Sequence, residues 1–434
     1  MYKHPTIHRA KAIVHVVALG LLAAGAEASH NTQVIIDWNQ VAQQNITGPP
    51  FLQSRTYAMV HIAMADAVIA IEGQYKPFHA RLMPPVPHGA SAKAAAAQAA
   101  RDVLVTLIPA NQAAFDAALK TSLENIPAGQ RAGGRRVGAR VARTVLEWRQ
   151  NDGFVNANPQ PPAFLPSTLP GIWRQTATGP AQFSELGSVA PFGLLSPTQF
   201  LPAPPPQLES AKYAIDFNDV KEKGRSTGST RSIDEERFAQ LFAGAMGPYF
   251  NATNQFRLWS NVARDVSQAQ SMSLVHTARL FALMTASIHD SLQTAHTSKF
   301  IYRLWRPETA IAAADIDDNP DTAPEPGWVP LLSTPPYPSH GSNMSCIGAG
   351  AAQMLANVFG TDAKSFTATW YTADSPPAVV HSQPYNSFWA LGQDEGSSRV
   401  WGGIHYRFEI DASEQSCAQV ANYIYDNYMR RDWH

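Results

Sequence analysis

Charge is scarce in this chain of 434 residues: 15% of it is Asp, Glu, Lys or Arg, against roughly 25% in an average globular protein. Lys and Arg total 33 and Asp and Glu 34, a formal net charge of −1. No basic excess exists to grip a nucleic-acid backbone, and no acidic excess to mimic one. Two cysteines are too few for a disulfide-built scaffold. Convincing strand alternation is also scarce, and past the N-terminus no apolar run approaches the ~20 residues that span a bilayer. Against these shortages stands a hydrophobic content of 45%, which excludes a disordered chain. What remains is a core-forming protein of two to three domains or one large one, with chemistry confined to local clusters.

The first 28 residues read as an export signal. Lys3, Arg9 and Lys11 form a positive start, an apolar run covers 12–26, and Ala26-Glu27-Ala28 fits a small-x-small cleavage site. Cleavage after Ala28 takes the formal charge from −1 to −3. The expectation is an exported, periplasmic or secreted protein with no integral membrane segment after processing.

Helical patterning dominates the rest. Segments 90–109, 111–126 and 132–149 are rich in strong helix formers or space apolar residues three and four apart. Between Asn156 and Pro206 the composition shifts, with twelve of the 33 prolines there. Proline breaks helix interiors, so this stretch reads as a long irregular connector, functional or strapped over the surface. Helical patterning returns from Ile233 to Thr297. The expected fold is all-α, with helical bundles at 29–155 and 211–434, joined by a Pro-rich connector at 156–210 and packed as one unit. A weak internal repeat points to duplication: Arg55 to Asp66 can be laid over Arg279 to Asp290 with the same spacing, an aromatic two after each Arg and an Ala three after. Coincidence between two amphipathic helices is the plain alternative.

Three cation-bearing segments lie in the C-terminal half. In the first, Lys299, Arg303 and Arg306 stand four and three apart, one face of a helix that Pro307 would end. Like charges at that spacing repel and call for an anion. The second, Pro335 to Ser345, reads as a tight loop feeding a helix N-terminus, where free N–H groups and the macrodipole favour an anion. Ser339, Ser342 or Ser345 can donate a hydroxyl, or one of them is simply the N-cap. The third, Ser397 to Glu409, holds Arg399, the Gly402-Gly403 pair and His405; Glu409, four residues on, can orient that imidazole. A satisfied structural His beside a surface Glu is the bland reading of that segment alone. Together the three segments supply guanidinium forks and an ammonium suited to one multiply charged oxyanion, phosphate or vanadate.

In order and spacing these segments resemble the vanadium-dependent haloperoxidase and type-2 phosphatidic-acid-phosphatase superfamily, whose signature is Lys-x6-Arg-Pro, Pro-Ser-Gly-His and Ser-Arg-x5-His. Lys299 to Arg306-Pro307 and Ser398-Arg399 to His405 match in full. The Trp-Gly-Gly-Ile-His form at 401–405, the Asp37-Trp38-Asn39 start and the stretch 204–218 resemble bacterial secreted haloperoxidase-like members. The resemblance implies that Lys299, Arg306, Ser339, the Gly341 backbone and Arg399 hold vanadate oxygens. It makes His405 the vanadium ligand, and Lys299 would polarise bound hydrogen peroxide so that halide attacks it and hypohalous acid reaches an organic acceptor. One departure stands out. The family's Ser-Gly-His is here Ser339-His340-Gly341, moving the catalytic His back one position, about 100° around a helix start. Others are Glu409 for the usual Asp, and His296 three before Lys299 where bacterial relatives often carry an aromatic. The same cradle fits a phosphatase acting on a phosphate ester, with His405 as nucleophile and a second His as acid; the swap deprives a phosphatase of more. A degenerate oxyanion-binding protein is the third reading. Cys346 and Cys417 follow the second and third motifs and either pair or stay as buried thiols. The low surface charge also fits a homodimer, which no residue proves.

Overall fold

The computed structural model describes residues 32–82, 86–157, 167–175, 181–243, 255–372 and 378–432. The export signal read at 1–28 lies outside them. The first bundle holds α1 (32–45), α2 (Pro50–Glu72), α3 (Ala92–Leu107), α4 (Gln112–Leu123) and α5 (Ala128–Arg149). Alanines make α3 a strong helix former, and Ser91 caps it by accepting from the Ala94 N–H. Small residues also let α5 approach α3 backbone to backbone: a Cβ on Gly138 would sit 2.3 Å from the Ala95 carbonyl oxygen.

The second half holds α6 (Ala211–Lys223), α7 (Ile233–Leu241), α8 (Gln255–Ala269), α9 (Leu274–Tyr302), α10 (Pro307–Ala312), α11 (Asn343–Phe359), α12 (Phe388–Trp401) and α13 (Arg407–Asn427). Helices α9, α11, α12 and α13 pack together, and α9 lies along α2, joining the two bundles. Both α2 and α9 are buried on nearly every face, as expected of helices that are apolar all round. The all-α reading holds. Among the described residues the exception is an antiparallel hairpin, β1 (Phe366–Tyr371) and β2 (Val379–Tyr385), with Phe366 opposite Tyr385. Phe366, Ala368 and Trp370 face inward, an alternation too short to stand out in the sequence.

The repeated Arg-to-Asp segments fall on α2 and α9 and share a device. The Asp66 carboxylate accepts three successive N–H groups, from Phe78, His79 and Ala80. Asp290 accepts those of Phe192, Gly193 and Leu194. The second trio belongs to the proline-rich connector. Its described parts are irregular and strap over the second bundle, held also by Gln293 on the Leu186 and Val189 carbonyls and Tyr302 on that of Pro202. Cys346 and Cys417 form a buried disulfide, Cα atoms 5.2 Å apart, that ties α11 to α13.

Candidate active site

Lys299 stands in the last turn of α9. The helix stops at Tyr302 because Arg303 turns left-handed (φ 55°) and returns its N–H to the Lys299 carbonyl. The chain then runs extended to Arg306, and Pro307 opens α10 as its first residue instead of ending a helix. The expected single face of three cations is therefore corrected. Arg303 is exposed, and only Lys299 and Arg306 turn inward. The Lys299 ammonium donates to the carbonyls of Ser339, at 2.8 Å, and Gly341. Arg306 donates Nε to the Tyr337 carbonyl (3.0 Å) and Nη1 to that of Ile404 (2.8 Å), with Nη1 also 3.1 Å from His405 Nε2.

His405 sits in the turn before α13, not on the helix. Gly402 and Gly403 make that turn: Gly403 has φ 80°, and a Cβ there would meet the Gly224 carbonyl at 2.4 Å. Glu409, in the first turn of α13, accepts on Oε2 from His405 Nδ1 (2.8 Å), the Tyr406 N–H (2.9 Å) and the Ser339 hydroxyl (2.9 Å). With Nδ1 donating, the neutral ring keeps its lone pair on Nε2, facing Arg306.

Arg399, in the last turn of α12, donates Nη1 to the Phe242 carbonyl at 2.6 Å. Its Nε and Nη2, and Nη2 of Arg306, are buried without a partner among the described residues. Lys299, Arg306 and Arg399 are each 0% exposed. Burial first, and the neighbouring Arg306 second, pull the Lys299 ammonium well below its ordinary range. Burial also pulls Arg306 down and Arg399 down to about 10. His405 is held neutral by burial and then by Arg306, Lys299 and Arg399. Glu409 is pushed up to about 7 by burial, against the pull of Lys299 and Arg306.

Lys299, Arg306, Ser339, Arg399 and His405 thus come together. Two other candidate groups have different partners. The Gly341 N–H donates to the Ser298 hydroxyl at 2.9 Å. His340 binds the Ala203 carbonyl through Nε2 (2.7 Å), and its Nδ1 lies 3.9 Å from Glu409 Oε1. The displaced imidazole therefore stands behind Glu409, its ring against Tyr302 and Phe408. Of the three serines, Ser342 is the N-cap of α11. His296 is buried behind Tyr337, with ring centroids 5.0 Å apart. Sequence reasoning missed Tyr337, whose ring lies 5.4 Å from the Lys299 ammonium and 5.3 Å from the Arg306 guanidinium. It also missed Glu395, one turn before Arg399, which accepts from Trp259 and is pushed up to about 8 by burial.

A helical bundle that buries three cations around a neutral imidazole has the chemistry to hold a small oxyanion. Residues 279–431 match the VCPO second helical-bundle domain. The whole chain has the fold of the bacterial vanadium-dependent haloperoxidases. It superposes on a bacterial vanadium-dependent iodoperoxidase with a TM-score of 0.73 and 23% identity, covering 95% of this chain and 97% of that one. On the holo form of a bacterial vanadium-dependent chloroperoxidase the TM-score is 0.66 at 16% identity, with 88% and 93% covered. On an apo form of such an enzyme it is 0.67 at 15%, with 88% and 95% covered. No curated protein sequence matches the chain.

Proposed function

We propose that this protein is an exported vanadate-dependent haloperoxidase, oxidising halide with hydrogen peroxide for transfer to an organic acceptor. The observation that carries the reading is the set of donors without a partner among the described residues: Arg306 Nη2 and Arg399 Nε and Nη2, buried beside Lys299 and beside His405, whose Nε2 lies 3.1 Å from Arg306 Nη1. Three buried cations beside two buried carboxyls that burial pushes toward the protonated form, Glu409 and Glu395, fit a multiply charged oxyanion, because an uncompensated buried charge costs several kcal/mol. The fit to vanadate is therefore chemical: forked N–H donors for its oxygens and one neutral imidazole nitrogen for the metal. Vanadate, when bound, supplies a Lewis-acidic centre that activates peroxide toward halide.

The chain's own residues prepare that site. Glu409 fixes the tautomer and direction of His405. Arg306 and Arg399 present fixed donors that need no reorganisation as charge develops. Lys299 keeps its ammonium anchored on two loop carbonyls and regains its full charge beside an anion. The Ser339 hydroxyl and the Gly341 N–H reach an anion only by exchanging Glu409 and Ser298. The placement of His340 disfavours the phosphatase reading, which needs a second imidazole in the cradle to protonate a leaving group.

The test is reconstitution of the purified mature protein with orthovanadate. Bromination or iodination of a phenol dye is expected to depend on halide, peroxide and vanadate together, and to vanish in His405→Ala. Hydrolysis of p-nitrophenyl phosphate by the vanadate-free protein, inhibited by vanadate, would establish the phosphatase instead. Absence of both activities and of vanadate binding would leave an inert oxyanion holder.

A further inference from the structure

A second cationic concavity lies at the other pole of the C-terminal bundle. Helix α9 begins there, and Met272 just before it, His276 and Arg279 in its first turns, and Val358 near the end of α11 line the space. From His276 to Lys299 the helix covers about 35 Å at roughly 1.5 Å per residue, so this cavity is separate from the His405 cradle. The C-terminal segment folds back to close it. Lys76 donates its N–H to the Arg430 carbonyl (2.9 Å) and Asp432 to that of Gln74 (3.0 Å), an antiparallel bridge that sets Tyr75 opposite Arg431.

The cavity encloses about 760 Å³. Its wall carries Lys76, Arg279, Arg430 and Arg431 against a single carboxylate, Asp426. That local excess stands out in a chain of net charge −1. Arg279 is the built part of the wall. It donates Nε to the Met429 carbonyl at 2.9 Å, and its guanidinium lies 4.9 Å from the Tyr75 ring and 5.1 Å from that of Tyr425. Two phenol rings and a carbonyl thus fix a fork, a geometry suited to carboxylate or phosphate oxygens. Burial draws Arg279 below its ordinary range, and Arg431 and Arg279 help burial to draw His276 down, as in a region short of negative charge.

We infer that this cavity binds a small organic anion bearing more than one carboxylate or phosphate oxyanion, at a site distinct from the vanadate cradle. The size admits a small organic molecule, since cavities of some 300–1,000 Å³ hold such ligands. The tyrosine rings, Met272 and Val358 supply the apolar surface that such a molecule's body would cover.

Isothermal titration of the full mature protein with citrate and with adenosine monophosphate tests it, each probe representing one oxyanion source. Saturable 1:1 binding of either is expected, weakened at least tenfold in Lys76→Glu/Arg430→Glu and several-fold in Lys76→Glu alone. Both side chains are exposed, and the melting temperature should hold within a few degrees. Binding equally strong in the variants, binding of neither probe, or displacement by orthovanadate at equal stoichiometry would each overturn the proposal.

Discussion

Arg399 holds one nitrogen on the Phe242 carbonyl and leaves Nε and Nη2 buried without a partner among the described residues. Arg306, close enough to repel it, helps burial to lower its basicity. Breaking a compensated ion pair destabilises a protein, whereas replacing an uncompensated buried charge by an apolar group of like volume relieves it. Arg399→Met is therefore expected to melt several degrees above the wild type without vanadate. Orthovanadate at a hundred times its Kd should stabilise the wild type by about 2.7 kcal/mol and the variant far less. A variant that melts lower without vanadate would show that the cation is already compensated. The four cradle residues whose positions relative to one another are fixed along the chain, Lys299, Arg306, Arg399 and His405, were legible in the sequence. Tyr337 and Glu395 were not. Tyr337 reaches the cations through the folding of its loop, and Glu395 reads as one more surface carboxylate until α8 brings Trp259 to it.

At the scale of elements, local pattern carried helix existence well and helix ends poorly. Segments 90–109 and 111–126 became α3 and α4 within a few residues. The end of α9 was misplaced, because nothing before Pro307 signals that Arg303 turns left-handed. The likeness between Arg55–Asp66 and Arg279–Asp290 is explained by burial: each helix carries one carboxylate that satisfies three N–H groups of a segment packed on it. Leaving a buried N–H unpaired costs about 1–3 kcal/mol. Asp290→Ala and Asp66→Ala are each expected to lose upward of about 3 kcal/mol in chemical denaturation, with Asn at either position recovering part through its remaining acceptor. Asp290→Ala should in addition loosen the connector, whose Ala203 carbonyl holds His340, while Asp66→Ala leaves it in place. A loss under about 1 kcal/mol in either would mean that water replaces the carboxylate. The disulfide acts at the same scale. Spanning 71 positions, it removes unfolded-chain entropy worth about 4 kcal/mol and fixes the helices that leave the second and third motifs.

For the whole molecule the scarcity of charge has a consequence in pH. Buried imidazoles are pulled down by burial, His61 and His340 to about 4, His296 to about 3, and His289 and His405 well below their ordinary value. Buried carboxyls are pushed up by burial, Asp66 and Asp290 to about 6, Glu409 and Glu414 to about 7, and Glu395 to about 8. Their signs oppose. A histidine kept neutral in the fold gives stability that is complete above its unfolded pKa, near 6.5, and is lost as pH falls from there toward the folded value. A carboxyl whose folded pKa is raised gives stability that is complete below its unfolded pKa, near 4, and is lost as pH rises through the folded value. Each group contributes a slope of about 1.4 kcal/mol per pH unit within its own window. Between about pH 4.5 and 6 the two sets cancel. Above about 6.5 Glu395, Glu409 and Glu414 lose stability until they are ionised near 8, opposed by Lys299, a buried base held below its ordinary range; below about 4 the most strongly lowered histidines, His289, His296 and His405, remain and stability falls again. The vanadate-free protein is therefore expected to be most stable on a mildly acidic plateau, with melting temperature declining on both sides. His61→Gln should tilt the plateau, removing about 3 kcal/mol of stability gained between pH 4 and 6.5, and Glu395→Gln should flatten the alkaline limb. A melting temperature that climbs steadily from pH 6 to pH 8 would contradict the assignment of Glu395, Glu409 and Glu414 as carboxyls that stay protonated into the neutral range.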